Sequence, residues 1–142
     1  MKGLTEILEK MAAKEAQYAT VVEVRAAYDA LNQVHAFKPG DLVMWKEGLR
    51  NKLSPLRGEP AIVLEVLESP LYDVNAPADS SAFLEPLDIS LGVIKYEGDT
   101  GSLIVFHFDS RRFQPYDGNL ARQIREEDKA RRELEQNSQM VS

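Results

Sequence analysis

Apolar residues recur at helical spacing through the first quarter of the chain and switch to period-two alternation from residue 42 onward. Residues 4–34 are helix formers without Gly or Pro. Leu4, Ile7, Leu8 and Met11 form one stripe, and Val21, Val24, Ala27, Tyr28 and Leu31 form a second. Tyr18-Ala19-Thr20 interrupts them, and Thr20 followed three residues later by Glu23 is a capping-box pattern. The pattern therefore predicts two short helices. Isolated helices of this length are marginal in water, so they are expected to pack through Leu8, Met11, Val24, Tyr28 and Leu31.

The alternating region opens at Phe37–Trp45, FKPGDLVMW, where Pro39-Gly40-Asp41 is a turn feeding a strand over Leu42–Lys46. Residues 47–60 carry Gly48, Pro55, Gly58 and Pro60 and read as a long loop. A second strand is expected over 61–68, with Ile62, Leu64 and Val66 inward. Residues 69–86, with three prolines, form an unusually long connection of the kind that is often functional. Strands over 87–96 and 102–108 follow, joined by a bulged hairpin at 97–101, and a short last strand spans 113–116. The expected core is Val43, Trp45, Ile62, Leu64, Val66, Val93, Leu103 and Val105. Residues 119–136 are rich in charge, with i,i+4 pairs such as Glu127–Arg131 and a thin stripe of Leu120, Ala121, Ile124, Ala130 and Leu134. A solvated helix is expected there. The fold class is α+β, with a helical extension over 1–36, a five-stranded module over 37–116 and a charged helical tail over 117–142.

Composition narrows the function classes. The net charge of −6 and pI near 5.0 argue against a general binder of nucleic acid or anionic membrane. With no cysteine, disulfides and thiolate metal sites are excluded. No run approaches the roughly 18 apolar residues of a membrane span, and residues 1–17 carry charges throughout, unlike a signal peptide. A cytoplasmic protein without membrane contact is expected. Its two histidines, His35 and His107, stand in no metal-ligand spacing, and Asp99-Thr100-Gly101 lacks the second aspartate of an acid-protease pair. A non-enzymatic protein without cofactor or metal is the expectation.

The order of signals from Phe37 to Tyr116 resembles the SH3-like barrels, and is most similar to those at the C-terminal end of retroelement integrases. The resemblance rests on Phe37, Gly40, Asp41 and Val43, then Lys52, Leu53, Pro55, Gly58 and Pro60, and finally Ser110, Arg111, Pro115 and Tyr116. It implies a five-stranded SH3-like β-barrel with a binding role, and it places the loop after the first strand on the recognition surface. Two departures stand out. Residues 37–116 hold eight Lys or Arg against twelve Asp or Glu, where integrase barrels are typically basic, and the 69–86 insert has no counterpart. Within this acidic region Lys46–Arg57 carries four bases and one acid. The candidate partner-binding residues are Lys46, Arg50, Lys52, Arg57, Arg111, Arg112 and Tyr116, joined by the 69–86 connection. The leading expectation is an accessory or regulatory factor, in the style of a small phage or mobile-element protein, that binds another protein. A nucleic-acid partner held by the six cations, and assembly through the helices, remain open.

Overall fold

The computed structural model describes residue 3 and residues 17–141, with side chains through Ser138. The expected helix carrying Leu8 and Met11 lies outside the described residues. Helix α1 (Val21–Asn32) starts where the capping box places it. The Thr20 hydroxyl accepts the Glu23 N–H at 3.1 Å, and the Glu23 carboxylate accepts the Thr20 N–H at 3.1 Å. Its packing differs from expectation. Only Ala27, Ala30 and Leu31 are half-buried, whereas Val24 and Tyr28 are 61% and 64% exposed. The contact face is the small-residue side, which lets α1 sit close to a single turn of 3₁₀ helix at Ser110–Arg112.

Five strands, β1 (Leu42–Trp45), β2 (Ala61–Leu71), β3 (Leu87–Glu97), β4 (Thr100–Phe108) and β5 (Phe113–Pro115), form one antiparallel sheet in the order β4-β3-β2-β1-β5. The fold is therefore α+β. The hydrogen bonding is not closed into a barrel: β4 and β5 are the two edges. Their ends approach through side chains instead, with the Phe108 and Phe113 rings 5.2 Å apart and Trp45 stacked on Phe113 at 4.2 Å. β2 runs three residues further than expected, through Pro70 to Leu71. The β3–β4 hairpin closes on Glu97 and Thr100 with only Gly98-Asp99 between. Gly98 takes a φ of +61°, open to glycine at no steric cost, so no bulged five-residue loop is needed.

The core gathers Val43, Trp45, Ala61, Val63, Ile89, Leu91, Val93, Phe108 and Phe113 on one face. Of the expected set, Val43, Trp45 and Val93 are inside. Ile62 is only half-buried, and Leu64, Val66, Leu103 and Val105 are 38%, 46%, 55% and 50% exposed. Two causes account for this. Ala61 and Val63 face inward in β2, and the pairing then shifts between Val63 and Glu65, which breaks the alternation. In β4 both faces of LIVFHF are apolar, so alternation cannot choose between them, and Phe108 carries the core position.

The second helix, α2 (Gly118–Val141), corrects the expectation of a solvated tail. Asp117 accepts the N–H groups of Asn119 and Leu120 at 3.1 and 3.2 Å, satisfying orphan donors of the first turn. Ala121 and Ile124 are then buried against Met44, on the sheet face opposite the core, with Tyr116 and Leu120 at the margin. Approach is close. Gly58 sits at a φ of +76°, and a Cβ there would lie 2.9 Å from the Ala121 carbonyl oxygen. Beyond these turns the helix is exposed apart from half-buried Asp128, with Leu134 at 69%. A stripe of one Ile and one Ala suffices because its counterpart, Met44, is fully buried.

Ile124→Ala is expected to cost about 2–4 kcal/mol in urea unfolding, by loss of contact and cavity formation. Removing residues 118–142 should lower the melting temperature markedly, whereas removing 133–142 should leave it nearly unchanged. Equal effects of the two truncations would contradict the Met44 contact.

Candidate binding surface

Glu85, in the β2–β3 connection, is the point where the three expected surface segments meet. It is 7% exposed. Its carboxylate accepts both bonds from the Asn51 amide, at 3.2 and 3.1 Å, and lies 3.8 Å from the Lys52 ammonium and 3.4 Å from Arg112 Nε. Asn51 and Lys52 belong to the β1–β2 loop and Arg112 to the 3₁₀ turn. A single buried carboxylate thus cross-braces the loop, the long connection and the turn. Breaking such a cluster from one side leaves uncompensated charge, which is why it rigidifies what it joins.

The candidate cations do not form a free basic patch. Lys46 is 4% exposed, and its ammonium donates to the carbonyls of Ala30 and Gln33 at the C-terminal end of α1. A cation there satisfies orphan acceptors and complements the helix dipole. Burial lowers its pKa, with Asp109 opposing. Lys46 therefore fastens α1 to the sheet and offers a partner no face. Arg57 pairs with Glu47 at 2.9 Å and Asp128 at 3.0 Å, and its hydrogen bond to Glu47 raises its pKa. Arg111 grips Asp109, 1% exposed, with a shortest contact of 2.7 Å, and that bond likewise raises its pKa. Arg112 also donates to the Leu49 carbonyl at 3.1 Å. Tyr116 is half-buried against Met44 rather than an exposed platform. Arg50 remains exposed, but donates to the Lys52 and Leu53 carbonyls at 3.0 and 2.7 Å and so stiffens its own loop.

That stiff loop presents Leu53 at 85% exposure, beside Lys52. Across the brace, Leu84, beside Glu85, is 65% exposed and holds a φ of +56°, a left-handed conformation costly for a branched side chain. Between the β1–β2 loop and β4 lies an open groove of about 580 Å³, lined by Lys52, Leu53, Asp73, Lys95 and Phe106. The Lys52 ammonium stands 5.2 Å from the Phe108 ring centroid and that of Lys95 6.0 Å from Phe106, within cation–π range. Lys95, Leu84 and Glu85 were not legible as site residues. A lone acid in AFLEPL carries no spacing that marks it as a buried hub.

Glu85→Gln is expected to destabilise by about 2–4 kcal/mol, because Lys52 and Arg112 lose their shared carboxylate. Asp128→Ala should cost at most about 1 kcal/mol, its partner Arg57 being partly solvated. The pH dependence follows from His35, stacked on Phe37 at 5.7 Å, whose pKa is lowered from 6.5 by burial and by Lys46. The unfolded chain then takes up this proton first, so stability falls as pH drops below about 6.5. The melting-temperature advantage of the wild type over His35→Asn should shrink between pH 7.5 and 5.5, as thermal melts at the two pH values would show.

No family model matches the chain, and neither the curated proteins nor the solved structures provide a match.

Proposed function

We propose that the protein is a non-enzymatic binding module that engages another protein through an SH3-like fold. The strand order β4-β3-β2-β1-β5 and the single 3₁₀ turn before β5 support the architectural part of this reading. The observation that carries the functional part is the pair of exposed leucines, Leu53 and Leu84, on two loops cross-braced by buried Glu85. Apolar side chains on a rigid frame lose little entropy on binding, which favours a protein partner. Lys52 and Lys95 beside the aromatic groove add preference for a segment carrying carboxylates next to an apolar anchor.

A phosphate backbone is the weaker reading. Five of the six candidate cations, Lys46, Arg50, Arg57, Arg111 and Arg112, already donate to carbonyls or carboxylates of the chain itself, and the sixth, Lys52, lies 3.8 Å from buried Glu85. Recruiting them would mean breaking those contacts, on a protein of net charge −6.

Leu53→Asp combined with Leu84→Asp should abolish capture of the native partner from cell lysate while circular dichroism and the melting curve stay as in the wild type. Reversing Arg50, Lys52 and Arg57 to Glu is a poorer test, since it also unfastens Glu85 and α2. Capture that survives the double leucine change, or that falls steeply with salt and is lost on nuclease treatment, would overturn the protein-binding reading.

A further inference from the structure

β4 is the outermost strand of the sheet, and among the described residues no backbone group bonds to its outer edge. Its nine residues, TGSLIVFHF, include no acid, no Lys or Arg and no Pro. The devices that normally protect an edge, a charge, a proline or a bulge, are all missing, and its pairing with β3 runs without a shift from Phe108 to Thr100. The two-residue turn closes on a hydrogen-bonded pair, Glu97 and Thr100. Alternation then directs the backbone groups of Thr100, Ser102, Ile104, Phe106 and Phe108 to β3, and those of Gly101, Leu103, Val105 and His107 outward. An uncharged, unshifted row of free donors and acceptors is a template for another strand.

We propose that this edge pairs with β4 of a second copy of the chain, antiparallel about a two-fold axis at Ile104, so that one sheet runs through the dimer. This register sets Leu103 opposite Val105 and Gly101 opposite His107, so each outward-directed backbone group meets a complement. Three features favour a second copy over an unrelated strand. A strand without charge meets itself with no like-charge penalty. Leu103 and Val105, 55% and 50% exposed, become a cross-strand apolar pair on both sides of the axis. The antiparallel arrangement also brings the acidic turn of one copy, Glu97 and Asp99, to the Arg111 end of the other, where the 45% exposed Arg111 side chain holds Asp109 through Nε and Nη2 and has no partner at Nη1 among the described residues.

Sedimentation velocity on the full chain, from low to several hundred micromolar, tests this together with hydrogen exchange. A reversible dimer is expected, with the Leu103 and Val105 amides gaining protection as concentration rises. Leu103→Lys and Val105→Pro should each raise the dissociation constant about tenfold or more. The proline removes an outward N–H and leaves the β3 ladder intact, and the lysine keeps the backbone unchanged should the proline perturb folding. Ile94→Lys, on the same face but one strand inward, should leave the dimer within about twofold of the wild type. A chain that stays monomeric throughout, a dimer indifferent to both edge changes, a dimer lost only with Ile94→Lys, or open-ended association beyond two copies would each overturn the proposal.

Discussion

Trp45 is the residue on which the two halves of the sheet converge. Its ring stacks on Phe113 of β5 and meets Phe108 of β4 edge-on at 5.7 Å, so it joins two strands that share no hydrogen bond. Its indole N–H donates to the Pro55 carbonyl at 2.6 Å, which anchors the β1–β2 loop to the same point. An indole buried without a partner would cost a desolvated donor. Here that need fixes the path of the loop, together with its own buried Leu49 and Pro55. Because β1 alternates, Val43 and Trp45 reach the core while Met44 and Lys46 reach other partners, Met44 the first turns of α2 and Lys46 the end of α1. Three buried residues of one short strand, with the buried Lys46 that follows it, thus place both helices and the core.

Charge is organised around this frame in a way composition conceals. The seventeen Lys and Arg residues are outnumbered by twenty-three acids, which leaves carboxylates to spare for pairing within the chain. Asp88, Glu85 and Asp109 sit inward and draw the polar groups of the 110–112 turn toward the sheet. Asp88 accepts the Ser110 N–H and hydroxyl at 2.8 and 2.7 Å. The turn that precedes β5 is held by three carboxylates at once, and that turn is also what α1 packs against. The position of α1 therefore depends on electrostatics at both ends of its contact, with the Lys46 ammonium at one and the Asp109–Arg111 pair at the other.

What could be read from the sequence were features encoded by neighbours. The capping box at Thr20 and Glu23, the turn into β1 and the five-strand order depend on residue types a few positions apart, and each is found where its pattern lies. The failures are positions where a distant residue decides. Val63 rather than Leu64 enters the core because Ala61 pairs with buried Val43 and Val63 with buried Leu91, and nothing in AIVLEVLE marks that phase. Ile124 is buried because Gly58, more than sixty residues away, leaves room for the helix backbone. The candidate surface followed the same division. The convergence of the 46–57 loop, the 69–86 connection and the Arg111-Arg112 turn was legible as a set, but its pairing was not, so cations that looked free are engaged.

The same geometry explains why the apolar residues left outside concentrate where they do. The core face is filled by aromatic rings from β1, β4 and β5, and α2 buries the opposite face most closely over Met44, at the β1 end. At the β4 end that opposite face keeps Leu103 and Val105 at 55% and 50% exposure, while Ile94, one strand inward, lines a cleft beside Arg125 and Lys129 of α2. Burying these side chains in a larger assembly would recover part of the transfer energy that the isolated sheet forgoes. The strand that carries two of them is also the strand whose backbone, among the described residues, is unmatched along one edge. Apolar burial and backbone pairing are usually separate drives to association; along β4 they act on the same residues, Leu103 and Val105, and a single strand added at that edge satisfies both.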